Sequence, residues 1–82
     1  MKTKYRNRTE IIASVLEAVK GVGANKTRIM FTAYLSYEQL KEYLNELLGK
    51  ELLAYDFHTR TYYITPKGSK FLELYAELEK VE

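Results

Sequence analysis

The sequence predicts a mostly helical α+β fold: three helices, a two-stranded hairpin and a C-terminal helix. Three observations predict it. Apolar residues recur at helical intervals in three short runs and again near the end of the chain. Asn7 with Glu10 and Ser36 with Gln39 stand at the spacing of a capping box, where the cap side chain and the residue three places on satisfy each other's backbone N–H. Two runs rich in β-forming residues, LLAYD and TYYIT, flank a connection of four residues.

Taken in order, MKTKYRNR has a cation at nearly every second place and no apolar period, so residues 1–8 read as a flexible basic arm or a solvated terminus. Ile11, Ile12, Val15, Leu16 and Val19 then mark a first helix over residues 8–20, ended by Gly21 or Gly23. GVGA follows a helix rather than a strand and lacks further glycines, so it is a helix stop and no phosphate-cradling loop. Asn25 caps a second helix over Lys26–Ala33 that turns Ile29, Met30 and Ala33 inward. Ser36 opens a third, with Leu40, Tyr43, Leu44, Leu47 and Leu48 as its apolar stripe and Gly49 at its end.

The short Tyr34-Leu35 connection makes the second and third helices a helix-turn-helix pair, the third being the recognition helix. A hairpin directly after such a pair is a wing, and here Phe57-His58-Thr59-Arg60 forms its tip. Thr65-Pro66 supplies a cap and a first-turn proline for the last helix, which is expected to run nearly to the end of the chain. The chain therefore divides into the arm (1–8), a winged helix-turn-helix domain (9–65) and a C-terminal helix (66–82). In that helix Phe71, Leu74, Leu78 and Val81 are spaced three, four and three, with Leu72 and Tyr75 widening the stripe, so it reads either as a short dimerisation helix or as one folded back on its own domain.

Having 82 residues and no cysteine, the chain must hold by packing alone. Disulfides and thiolate metal sites are excluded, one histidine builds no metal centre, and no metal or cofactor is expected. No apolar run approaches the roughly 20 residues needed to span a bilayer, and the start lacks a secretory signal, so a cytoplasmic protein is expected. Catalysis needs converging groups in a pocket; the carboxylates here are spread along helix faces, and an enzyme is not expected.

The net charge of +2 conceals an asymmetry: residues 1–36 hold seven Lys/Arg and two Glu, whereas 37–82 hold six Lys/Arg and nine Asp/Glu. Cations at Lys2, Lys4, Arg6, Arg8, Lys26, Arg28, Lys41 and Arg60 suit a polyanion. On the third helix, however, the side opposite the apolar stripe carries Glu38, Lys41, Glu42 and Asn45, with Glu46 toward its edge. A carboxylate accepts a hydrogen bond from cytosine but is repelled by phosphates unless surrounding cations dominate, so affinity is expected from the frame around that helix.

Beyond its general plan, NKTRIMFTAYLSYEQLKEYLNELL resembles the helix-turn-helix of the archaeal winged-helix family that includes the small ten-kilodalton DNA-binding, chromatin-type proteins of crenarchaea. The resemblance rests on KTRIM, the turn ending in LSY and the Tyr43-Leu44 pair; YYITPKGSKFL and EIIASVLEA extend it over about residues 9–75. It implies double-stranded DNA binding by a homodimer joined through an antiparallel coiled coil of the C-terminal helices. Three departures stand out. Tyr34 occupies a turn position where the family often has Asn, Gly49-Lys50-Glu51 moves a glycine two places ahead of the family's Lys-Gly pair, and the family's last helix usually runs on beyond the position of Glu82.

The expected function is thus duplex DNA binding in transcription regulation or DNA packaging, at the nucleoid in the cytoplasm. Lys26, Thr27, Arg28 and Ser36 position the phosphates together with Lys4, Arg6 and Arg8 of the arm; Tyr37, Lys41 and Asn45 face bases, and His58 and Arg60 reach an adjacent groove. Phe71, Leu74, Tyr75, Leu78 and Val81 form the expected dimer interface. The alternative is a protein-binding winged-helix module, which would account for an acidic helix face and eight tyrosines; single-strand binding by stacked tyrosines is a third possibility.

Overall fold

In the computed structural model, which describes residues 6–81, polar caps set the start of each helix. Asn7 opens α1 (Arg8–Val19): its side chain accepts from the Glu10 N–H at 2.8 Å while the Glu10 carboxylate accepts from the Asn7 N–H at 3.0 Å. Asn25 caps α2 (Lys26–Ala33) through the Arg28 N–H, and Ser36 with Gln39 completes a second reciprocal box at the start of α3 (Tyr37–Gly49). Each such cap contributes on the order of 1 kcal/mol to helix stability.

The ends of α2 and α3 use one closure. In each, the chain leaves the helix through a left-handed residue, Tyr34 at φ 56° and Glu51 at φ 63°. The next N–H then reaches back across the turn, Leu35 to the Met30 carbonyl at 3.0 Å and Leu52 to the Leu47 carbonyl at 2.9 Å. Leu35 and Leu52 are buried as a result, which fixes how each following element leaves its helix. Both left-handed positions coincide with departures from the family pattern, and Glu51 holds the conformation that the displaced glycine would have taken without strain.

Strands β1 (Leu53–Asp56) and β2 (Thr61–Ile64) pair antiparallel with Leu53 opposite Ile64 and Asp56 opposite Thr61, so the predicted four-residue tip at 57–60 stands. A feature absent from the sequence reading adds to the sheet: Ala24 bridges Tyr62 through two backbone hydrogen bonds of 3.0 and 2.8 Å. This explains Gly23. It holds φ 86°, and a Cβ there would lie 2.7 Å from both Thr61 Cγ2 and the Tyr62 carbonyl oxygen.

Helix α4 (Pro66–Val81) is anchored at its start. Thr65 Oγ1 accepts from the Gly68 N–H at 2.9 Å and donates to the Glu51 carbonyl at 2.7 Å, and Lys67 Nζ donates to the Lys50 carbonyl. Gly68 lets the helix approach the wing, since a Cβ there would collide with the Leu52 carbonyl oxygen and stand 2.8 Å from Ile64 Cγ1.

The core lies where α1, α2, α3 and the wing meet, around Val15, Leu16, Val19, Ile29, Leu40 and Leu47, which are almost wholly removed from water. From α4 Leu72 joins the buried hydrophobic core, with Phe71 and Tyr75 half-buried against it and their rings stacked 6.4 Å apart. Leu74 and Leu78 face outward, 56% and 66% exposed. The side of α4 that meets the core, through Leu72, Phe71 and Tyr75, is therefore offset from Leu74 and Leu78, while Val81 ends the helix. Among the described residues no helix is long and apolar enough to cross a membrane.

Candidate nucleic-acid interface

The exposed face of α3 follows from its buried one. With Leu40, Leu44 and Leu47 inside, Glu38, Lys41, Glu42 and Asn45 stand in solvent on the opposite side. The acidity of that face is partly compensated within the chain. Glu46 lies at its edge, only half-buried, and pairs with Arg8 on one side and with Lys50 on the other at 2.9 Å. Lys41 lies over the Tyr37 ring at 5.1 Å, so its charge stays at the start of the helix. Glu38 and Glu42 make no ion pair with any other described residue.

Two cations assigned by sequence to the arm do internal work. Arg6 donates to the Ala33 carbonyl at 2.6 Å and to the Tyr34 carbonyl at 3.2 Å, meeting acceptors that the end of α2 leaves open. Arg8 is the first residue of α1; besides its pairing with Glu46, its guanidinium lies over the Tyr43 ring at 5.4 Å. Both brace the helix-turn-helix. Lys2 and Lys4 lie outside the described residues.

On the other flank, the start of α2 and the wing enclose an open groove of about 570 Å³ lined by Asn25, Lys26, Thr27, Tyr55, Thr59, Arg60 and Tyr62, with Phe57 at its mouth. Lys26, Thr27 and Arg60, separated widely in sequence, share this groove; Arg28 and Ser36 are exposed nearby in the chain but do not line it. Tyr55 and Tyr62 form a cross-strand pair with ring centroids 4.5 Å apart. Burial pushes the Tyr62 phenol above its ordinary pKa of 10.0, and the Tyr55 and Tyr37 phenols push it further.

The wing tip is shaped by Asp56, whose Oδ1 accepts from the N–H groups of His58 at 2.9 Å and Thr59 at 3.4 Å. Arg60 closes the turn in the left-handed region at φ 55°. His58 is exposed, with its ring edge-on to Phe57. Sequence reasoning passed over Phe57, which stands 78% exposed; its one signal was a large apolar residue inside a polar turn. No three His, Asp or Glu side chains gather as a metal site among the described residues.

Three helices, a turn through a left-handed residue between α2 and α3, and a hairpin whose inner strand ties back to Ala24, just ahead of the α2 cap, agree with the family comparison: the winged helix-turn-helix family model matches residues 5–82. The chain belongs to the winged helix-turn-helix family. Within this family arrangement α3 holds the recognition position and β1–β2 form the wing. Its relatives include the uncharacterized protein MJ0290 of Methanocaldococcus jannaschii, 34% identical over 73 residues. The match takes in 89% of this chain but 34% of MJ0290, so the chain spans about a third of that curated relative. Among solved structures, Sso10a-2, a DNA-binding protein from Sulfolobus solfataricus, superposes with a TM-score of 0.80 at 24% identity, over 93% of this chain and 81% of that one. The winged-helix fold is thus shared nearly from end to end.

Proposed function

We propose that this winged helix-turn-helix protein binds double-stranded DNA, as a homodimer joined through the outer face of α4, in transcription regulation or chromatin organisation at the nucleoid. The observation that carries the reading is the groove between the start of α2 and the wing, which Lys26, Thr27 and Arg60 line together. A backbone phosphate placed there meets two cations and the hydroxyl of Thr27. The family membership and the fold shared with a DNA-binding protein support it.

In this reading α3 faces the major groove and presents Tyr37, Lys41 and Asn45 to base edges, while Ser36 and Arg28 contribute to positioning. Glu38 and Glu42 limit affinity at that surface, so the frame formed by Lys26, Arg28 and Arg60 dominates. Counterion release then makes binding steeply salt-dependent, log K falling with log salt by about 0.9 for each phosphate neutralised. The test is fluorescence anisotropy of a labelled random-sequence duplex at two salt concentrations, with the wild type and with Lys26→Ala/Arg28→Ala. Binding that weakens with salt and with the double substitution is expected. Salt-independent binding, or binding the double variant leaves unchanged, overturns the reading.

The unpaired carboxylates of Glu38 and Glu42, together with exposed Phe31 and Tyr34, favour a protein partner as the second reading. No duplex binding at low salt is the outcome that selects it.

A further inference from the structure

Phe57 takes no part in folding the wing. Its ring is 78% exposed, among the described residues it meets the His58 ring in a T-shaped arrangement, and the turn beneath it is held by the Asp56 carboxylate and backbone N–H groups. The aromatic packing of the hairpin is complete without it, through Tyr55 on Tyr62. An apolar ring of this size at the outermost turn is costly to leave in water, and removing it from water is correspondingly favourable.

The surroundings indicate what covers it. Phe57 stands at the mouth of the groove that holds Lys26, Thr27 and Arg60. The neighbouring carboxylate, Asp56, is turned to the two N–H groups of the turn, and the side chains that share the groove with the ring carry two cations, Lys26 and Arg60, and no carboxylate. An apolar side chain in a groove that also holds two cations and several hydroxyls matches a stacked base step beside a phosphate better than an apolar protein groove. A four-residue hairpin tip is also narrow enough for the minor groove, which a helix cannot enter.

We infer that Phe57 is a DNA wedge: the wing tip enters the minor groove of bound duplex and the ring inserts between adjacent base pairs, partly unstacking them and kinking the helix axis. The inference rests on the duplex-binding reading above. Arg60 and Lys26 hold a backbone phosphate beside the opened step, and pyrimidine–purine steps, which unstack most easily, are the preferred sites. Single inserted side chains of this kind kink DNA by about 20–90° toward the major groove.

The experiment uses the whole chain and a duplex with one central TA step, labelled at its two ends with a donor and an acceptor, while anisotropy reports binding in parallel. The sequence contains no tryptophan, so Phe57→Trp introduces a single indole at the wedge position, excited selectively at the red edge where the tyrosines do not absorb. Saturating wild-type protein is expected to raise energy transfer between the duplex ends. Phe57→Ala is expected to bind about tenfold more weakly, as loss of one stacked contact does, and at saturation to leave the duplex straight. The Phe57→Trp emission is expected to be strongly quenched on binding. Saturated binding without a rise in energy transfer, an equal rise with Phe57→Ala, or indole emission unchanged at saturation each overturns the wedge while leaving duplex binding intact. Absence of wild-type binding at low salt overturns the duplex reading and the wedge with it.

Discussion

Among the described residues three other than glycine hold positive φ, and their placement separates architecture from surface chemistry. Tyr34 and Glu51 end helices, whereas Arg60 closes the wing tip. A left-handed residue carrying a Cβ costs roughly 1–2 kcal/mol relative to glycine, and glycine's extra freedom in the unfolded chain returns about half of that. Glu51→Gly should therefore raise stability by about 0.5–1 kcal/mol, read as a higher urea midpoint with an unchanged slope, and leave DNA affinity unaltered. Arg60→Gly should stabilise to a similar extent but weaken duplex binding and lower its salt slope by about 0.9, because one phosphate-facing charge is removed. An Arg60→Gly variant that binds as tightly as wild type would take Arg60 out of the interface. Tyr62 adds a pH dependence. Its pKa is raised in the folded state by burial first and by Tyr55 and Tyr37 next, so the folded chain retains the phenolic proton longer than the unfolded one. Its contribution is constant below the unfolded value of about 10 and is lost as pH rises from there through the folded value. Chemical denaturation above pH 10 should show a decline that is shallower in Tyr62→Phe.

At the scale of elements, stability concentrates where the wing meets α4. Thr65, Glu51 and Leu52 link the end of α3, the strand and the last helix through a few hydrogen bonds, and Gly68 permits the close approach that makes them possible. Gly68→Ala forces its methyl group onto the Leu52 carbonyl and Ile64, and a loss of about 1–3 kcal/mol is expected from such overpacking. Gly49 is the contrasting case. It lies in α3 with open space at its Cβ position, so Gly49→Ala should gain about 0.5–1 kcal/mol from helix propensity. Equal effects of the two substitutions in urea denaturation would mean that α4 does not depend on this contact. Recognition of α3 as a helix was straightforward because cap, stripe and stop agree in sequence. Its surface electrostatics were harder to foresee, since the Arg8–Glu46 pair joins residues 38 positions apart.

For the whole molecule, the open question is how α4 is covered. Leu74 and Leu78 project from a helix whose other side already rests on the core, which is the arrangement expected of a proposed homodimer. Leu78→Glu places a charge on that outer face without touching the core. Light scattering should then report the monomer mass where the wild type reports twice that value, and unchanged mass would exclude this face as the interface. In such a dimer the two recognition helices are expected about 34 Å apart, or a multiple of it, so half-sites should follow the duplex repeat.

The helices, their caps, the wing with its four-residue tip and the acidic face of α3 were determined by the sequence alone, because each depends on spacing within a few residues. Which charges are engaged within the chain follows from tertiary packing. It turned Arg6 toward carbonyls and Arg8 toward Glu46, drew Lys26 and Arg60 into one groove, tied Ala24 to Tyr62, and set Phe71, Leu72 and Tyr75 of α4 on the core while Leu74 and Leu78 face outward. Those outcomes depend on contacts between residues far apart in the chain, which no local period records. Phe57 belongs to the same class: its residue type was legible from the start, but its exposure beside a cationic groove emerged only from the packing of the rest.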